Sequence, residues 1–217
     1  MSKEHGPTVY IIDDDPGLRK SLLMLLESSA IAAVAFASAE EFLAEGKATD
    51  LGCIVLDLRM PGMGGLELLH ELRKNQNDIP VILISAHADV PDAVRGMKLG
   101  AIDVLQKPVE SAALIEAVRR SLALADSLHA QRAESQSARQ RFEHLTAREM
   151  ELLNYIVEGQ SNKQIAIKMH ISVKTVANHR ASLMSKSGAA NAADLARLYT
   201  IFNNYKKTQP PLASAKV

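Results

Sequence analysis

The stretch Val9-Tyr10-Ile11-Ile12-Asp13-Asp14-Asp15-Pro16-Gly17 decides the fold: four apolar residues run without a break into three carboxylates and then into a Pro-Gly stop. The same grammar returns three times. Cys53 to Leu56 ends at Asp57, Val81 to Ile84 ends at Ser85, and Ile102 to Leu105 ends, after Gln106, at Lys107 and Pro108. Short, nearly continuous apolar runs that alternate with amphipathic stretches describe parallel strands covered on both faces. Ligands bind such sheets at the carboxyl ends of the strands. Three acids, a hydroxyl and an ammonium are therefore expected in one crevice.

Outward from these runs, the pattern predicts strand 8–13, helix 16–28, strand 31–36, helix 39–45, strand 51–57, helix 65–75, strand 79–85, helix 90–98 and strand 102–105. Five β-α repeats make an α/β, doubly wound, five-stranded parallel sheet. After Pro108 the texture changes, because Val109 to Glu158 contains neither Gly nor Pro and helix is the default. Leu114, Ile115, Val118, Leu122, Ala125 and Leu128 keep helical spacing. His129 to His144 is polar, with Phe142 as its large apolar residue, and reads as a solvated helical linker able to pair with its twin in a dimer. Thr146-Ala147-Arg148-Glu149 is a capping box that opens a new helix ending at Gly159. A helix over about 162–169, the turn His170-Ile171-Ser172, a helix from Val173 to about Ser187 and a last helix over about 191–203 follow. The expected organisation is a first domain at 1–125, a linker at 126–144, an all-α domain at 145–205 and a disordered tail at 206–217.

Charge separates the halves. Residues 1–125 carry 12 Lys and Arg against 18 Asp and Glu, whereas residues 126–217 carry 13 against 7, so the formal balance of zero hides an acidic half and a basic half. An acidic half suggests a cation site and a basic half suggests phosphates. The lone Cys53 lies inside an apolar run, gives no disulfide framework and fits a reducing compartment. Met1 to Pro7 lacks the apolar core of a signal peptide, and Ser21 to Ala39 is broken by Glu27, so a cytoplasmic protein without a membrane partner is expected. No grouping of His or Cys suggests zinc.

Carboxylates within roughly 5 Å of one another repel by about 3 kcal/mol per pair at an effective dielectric of 20, so the crevice wants a cation. Hard oxygens select magnesium or manganese, and Mg²⁺ keeps waters and reserves a position for a phosphate oxygen. Lys107 and Ser85 could hold the phosphoryl oxygens that the metal does not reach, which makes a phosphoryl-transfer site with a carboxylate nucleophile. The plainer alternative is that the three aspartates cap a helix, for which Asp15 before Pro16 is well placed.

Val9 to Asp15, Leu56-Asp57-Leu58-Arg59-Met60-Pro61-Gly62-Met63-Gly64-Gly65-Leu66-Glu67, Ile84-Ser85-Ala86-His87 and Gln106-Lys107-Pro108 resemble the receiver domain of two-component response regulators, over about the first 120 residues. That resemblance implies a flavodoxin-like, CheY-like domain in which a histidine kinase phosphorylates Asp57. It further implies that Asp14 ligates Mg²⁺ directly, that Asp13 acts through water and that Arg59 contributes its backbone carbonyl. Ser85 and Lys107 would contact the phosphoryl group, while Arg59 and His87 would tune the lifetime of the aspartyl phosphate. The chain departs from the family at Val104, where an aromatic switch residue is usual, so the Ser85 half of the switch is present and the aromatic half is not.

In the basic half, two helices joined by a tight turn make a helix-turn-helix whose second helix would lie in the major groove. Asn162-Lys163-Gln164-Ile165-Ala166 followed by Ile171-Ser172-Val173-Lys174-Thr175-Val176 resembles the LuxR-type DNA-binding domain, and the whole chain resembles regulators of the FixJ and NarL class. Ile171, Val176 and Leu183 should face the core, leaving Lys174, Thr175, Ala177, Asn178, Arg180 and Ala181 exposed. Lys163, Lys174 and Thr175 suit phosphates, Asn178 suits an adenine edge and Ala177 a thymine methyl. The expected function is a transcription factor that accepts a phosphoryl group on Asp57, dimerises and binds double-stranded DNA. Two other readings remain open: a Mg²⁺-dependent aspartyl-phosphate hydrolase, which would want a second acid where Arg59 stands, and a receiver whose C-terminal helices bind protein.

Overall fold

The computed structural model describes residues 6–45, 51–86 and 90–208. Five strands, β1 (Thr8–Ile12), β2 (Ala32–Phe36), β3 (Cys53–Asp57), β4 (Val81–Ser85) and β5 (Asp103–Gln106), form one parallel sheet in the order β2-β1-β3-β4-β5. Between them run α1 (Pro16–Ser28), α2 (Ala39–Glu45), α3 (Gly65–Lys74) and α4 (Val90–Lys98). Alternation along the strands sorts the core into two layers. Tyr10, Ile12, Ile54, Leu56, Val81 and Leu83 pack with Phe42 of α2 and with Leu68, Leu69 and Leu72 of α3. Val9, Ile11, Cys53, Val55, Ile82 and Ile84 pack with Leu22 and Leu26 of α1 and with Leu114, Ala117 and Val118 of the long helix α5 (Ser111–Glu143). The inner strands β1, β3 and β4 are nearly continuous apolar runs because both of their faces are covered, as the sequence pattern predicts, whereas the edge strands β2 and β5 are only partly buried.

Two compact units divide the chain, Met1–His129 and Ala130–Val217. The second contains the end of α5 together with α6 (Ala147–Val157), α7 (Asn162–Met169), α8 (Val173–Ser187) and α9 (Ala192–Thr208). Here the structure differs from the reading of 126–144 as a solvated linker. Ala138 and Phe142 are fully buried with Leu152, Leu153, Ile156, Leu195, Leu198 and Phe202, so the last turns of α5 supply part of this core. α9 also runs through Thr208, so residues 206–208 extend a helix instead of opening a disordered tail. The chain meets no Gly or Pro after Gly188 until Pro210, and nothing in its backbone chemistry stops the helix sooner. Residues 209–217 and His87 lie outside the described residues. Among the described residues no helix is long and apolar enough to cross a membrane.

Candidate functional site

Strand order brings the crevice together. β1, β3, β4 and β5 are successive neighbours, so Asp13 just past β1, Asp57 at the end of β3, Ser85 at the end of β4 and Lys107 just past β5 all lie at one edge of the sheet. Carboxylate oxygens of Asp13, Asp14 and Asp57 lie within 4.8 Å of one another. Asp13 and Ser85 are buried, Asp57 is 6% exposed, and Asp14 is open to solvent. Lys107 Nζ donates to Asp13 Oδ2 at 2.9 Å and to Asp57 Oδ2 at 2.8 Å. Burial pushes the Asp57 carboxyl above its usual range, against the opposing Lys107 hydrogen bond and with the Asp13 charge adding to the rise. Burial alone would lower the Lys107 ammonium, but its bonds to the two carboxylates outweigh that and raise it.

The three consecutive aspartates do different things. Asp15 caps α1, accepting from the Gly17 N–H at 2.8 Å and the Leu18 N–H at 3.3 Å, so the cap alternative holds for this residue. Asp13 turns inward, its Oδ1 accepting the Asp15 N–H at 2.8 Å while the Arg19 guanidinium donates to its carbonyl at 2.6 Å. With Asp15 used as a cap, Asp13, Asp14 and Asp57 are left as a set of hard oxygen donors around one point, which fits Mg²⁺.

The loop after Asp57 is held closely. The Arg59 N–H points to Asp57 Oδ1 at 3.4 Å, and the Gly65 N–H donates to the Leu58 carbonyl at 3.1 Å. A Cβ on Gly65 would lie 2.2 Å from the Asp57 carbonyl oxygen, so the chain can return over the strand end only with glycine there. Glu40 reaches from α2 to accept the Met63 N–H at 2.8 Å and occupies the space beside Gly62, whose φ is +74°. The sequence reading did not single out Glu40 or this use of Gly65. Val104 is half-buried in β5 against the core and, with Ala93, Val94, Met97, Lys98 and Asp103, lines a shallow cavity of about 510 Å³.

In the second unit, Ser161 and Ser172 cap α7 and α8, accepting from the Gln164 and Thr175 N–H groups at 3.4 and 3.0 Å. His170, at φ 55°, makes the left-handed turn between them. Val176 and Leu183 are fully buried and Ile171 half-buried, the face expected to pack inward. Lys174, Ala177, Asn178 and Ala181 are exposed along α8, and Lys163 is exposed on α7. Thr175 and Arg180 are half-buried and bonded within the motif: Thr175 Oγ1 lies 2.8 Å from Ser172 Oγ, and Arg180 Nη1 donates to Asn162 Oδ1 at 3.1 Å. Four of the six positions read onto the outer face of α8 thus stand clear, and two are engaged by their neighbours.

Comparison with known proteins gives the same two parts. Residues 9–119 match the response regulator receiver domain, and residues 143–199 match the luxR family of bacterial regulatory proteins. The chain is 45% identical over 190 residues to the transcriptional regulatory protein FixJ of Azorhizobium caulinodans, covering 88% of this chain and 90% of that one. It is 39% identical over 193 residues to the C4-dicarboxylate transport transcriptional regulatory protein DctR of Rhodobacter capsulatus, covering 88% and 98%. Among solved structures, the response regulator StyR superposes with a TM-score of 0.82 at 39% identity, over 90% of this chain and 99% of that one. Full-length FixJ from B. japonicum gives 0.56 at 36% identity, over 91% and 97%. The chain therefore belongs to the two-component response regulators of the FixJ and NarL class, a receiver domain followed by a LuxR-type DNA-binding domain.

Proposed function

We propose that a sensor histidine kinase transfers a phosphoryl group to Asp57, and that the phosphorylated chain, as a homodimer in the cytoplasm, binds promoter DNA through α8. The observation that carries this reading is the placement of Asp57: a carboxylate 6% exposed at the end of the central strand, with an ammonium 2.8 Å away. In the transfer a carboxylate oxygen of Asp57 bonds to phosphorus as the P–N bond to the kinase histidine breaks. Asp13, Asp14, Asp57 and the Arg59 carbonyl would hold Mg²⁺, which when bound supplies positive charge to the phosphoryl oxygens. Lys107, already between Asp13 and Asp57, can follow the phosphoryl group as it arrives, and the Ser85 hydroxyl can close on it from β4. Because Val104 replaces the usual aromatic, the change reaches the rest of the receiver by movement of Ser85 and the helix after it.

On DNA, Lys174, Ala177, Asn178 and Ala181 form the reading face, with Lys163 on a phosphate. Thr175 and Arg180 belong to the edge of this interface, where their bonds to Ser172 and Asn162 hold them beside the backbone. Intact-mass measurement after acetyl phosphate and Mg²⁺ treatment tests the acceptor. The wild type should gain one phosphoryl group and Asp57→Ala none, and a phosphorylated Asp57→Ala protein refutes the assignment.

A further inference from the structure

Glu149 is a buried carboxylate, 3% exposed, that neither the phosphoryl site nor the reading face uses. Its role in the α6 capping box explains only part of its bonding. Oε2 accepts the Thr146 N–H at 2.9 Å and hydroxyl at 3.0 Å, and also the Lys186 ammonium at 2.8 Å, while Oε1 accepts the Ser182 hydroxyl at 2.8 Å. Burial pushes the Glu149 carboxyl up, but the bonds from Lys186, Thr146 and Ser182 outweigh it and hold the group down at about 2. Ser182 and Lys186 lie one turn apart on α8, and Ser182 lies one turn beyond Asn178.

We propose that Glu149 is a positioning residue for DNA recognition, its two bonds to Ser182 and Lys186 setting the rotation and axial position of α8 against α6. The inference rests on α8 being the reading helix. The buried side chains of α8 are few, Val176, Leu183 and Ser187, and contact between apolar groups is non-directional. A carboxylate fixed at one end by the α6 cap and bonded to two residues of α8 is directional. Such a constraint matters because side-chain tips stand roughly 5–6 Å from a helix axis, so a rotation of about 20° moves them by about 2 Å. That displacement takes an Asn178 amide out of hydrogen-bonding range of a base edge. A contact to a phosphate by Lys163 on α7 would not feel it.

The test uses the full chain, phosphorylated with acetyl phosphate, and a duplex that the wild type enriches from a randomised pool, with a scrambled duplex of the same composition. Glu149→Gln should reduce the ratio of enriched to scrambled affinity by roughly tenfold, because it loosens readout without removing a charge from the DNA-facing surface. Ser182→Ala keeps the capping box and removes only a bond to α8, so it should move the ratio the same way even if Glu149→Gln fails to fold. A merely structural role would lower the melting temperature, or the active fraction, and leave the ratio unchanged in Ser182→Ala. That result overturns the proposal. If the wild type enriches no sequence at all, the assignment of α8 as the reading helix fails first, and the role of Glu149 falls with it.

Discussion

Phe142 is the residue through which the end of α5 commits to the DNA-binding unit, and its truncation should be costly. The side chain is 1% exposed, with its ring centroid 5.2 Å from Phe202 and 6.1 Å from Tyr199. Phe to Ala in a packed core costs about 3–5 kcal/mol, the transfer free energy of the ring plus the cavity left behind. At about 0.05–0.15 kcal/mol per residue, a unit the size of Ala130–Val217 has roughly 4–13 kcal/mol to lose. Phe142→Ala should therefore lower the midpoint of that unit by more than about 10 °C. Calorimetry of the full chain reads this directly, because the receiver transition serves as an internal control and should not move. A loss below about 1 kcal/mol, the range of an exposed substitution, would mean that residues 130–143 are a solvated linker after all and that the packing of Phe142 contributes nothing. The consequence reaches function: cutting the chain after Glu143 would remove Ala138 and Phe142 from the core that supports α8.

Gly65→Ala should damage the receiver more than its size suggests, since the new Cβ would sit 2.2 Å from the Asp57 carbonyl oxygen and only backbone can yield. We expect a loss of about 1–3 kcal/mol in urea unfolding together with slower phosphorylation by acetyl phosphate. Wild-type rate and stability would show that the loop after Asp57 is not held as described. Acid should act on Glu149 and Asp57 in opposite senses. Glu149 has a folded value of about 2 against an unfolded 4.5, so its contribution, roughly 3 kcal/mol, is complete above pH 4.5 and is lost as the pH falls towards 2. Asp57 is raised, so its protonation on acidification relieves the folded receiver. Unfolding of wild type and Glu149→Gln across pH 7 to 3 should show the mutant's deficit shrinking as the pH drops, and a constant deficit would refute the link to the carboxylate.

The crevice was legible in the sequence because its logic is one-dimensional. A parallel strand buried on both faces announces itself as an apolar run, and the residue that ends the run must lie at the carboxyl edge of the sheet. Asp13, Asp57, Ser85 and Lys107 could thus be brought together without knowing a single distance. The division of labour within Asp13-Asp14-Asp15 needed the turn itself, where Asp15 bonds forward to Gly17 and Leu18 and Asp13 folds back to receive Asp15. Gly65 and Glu40 were hidden for a related reason. Their importance lies in how closely a loop passes a strand end, and nothing in local spacing encodes that approach.

The helical unit was harder to read because its decisive contacts join elements far apart in the chain. Helical period places Lys174, Thr175, Ala177, Asn178, Arg180 and Ala181 together on one exposed face of α8, but it cannot show that Ser172 and Asn162 draw Thr175 and Arg180 into bonds within the motif and leave them half-buried. A lone aromatic in a polar stretch, as Phe142 is, reads as solvated until Tyr199 and Phe202, some sixty residues on, arrive around it. Glu149 makes the case most sharply. Its bond to Thr146 follows from three-residue spacing and was predictable, whereas its bonds to Ser182 and Lys186 span 33 and 37 residues. A capping motif whose acid is fully buried must have such further partners, since an ionised carboxylate taken out of water on a single cap would cost more than the cap returns. Burial of the acid in a capping box is therefore the signal that sequence alone could not supply, and it directs attention to the helix packed against the cap, here the one proposed to read DNA.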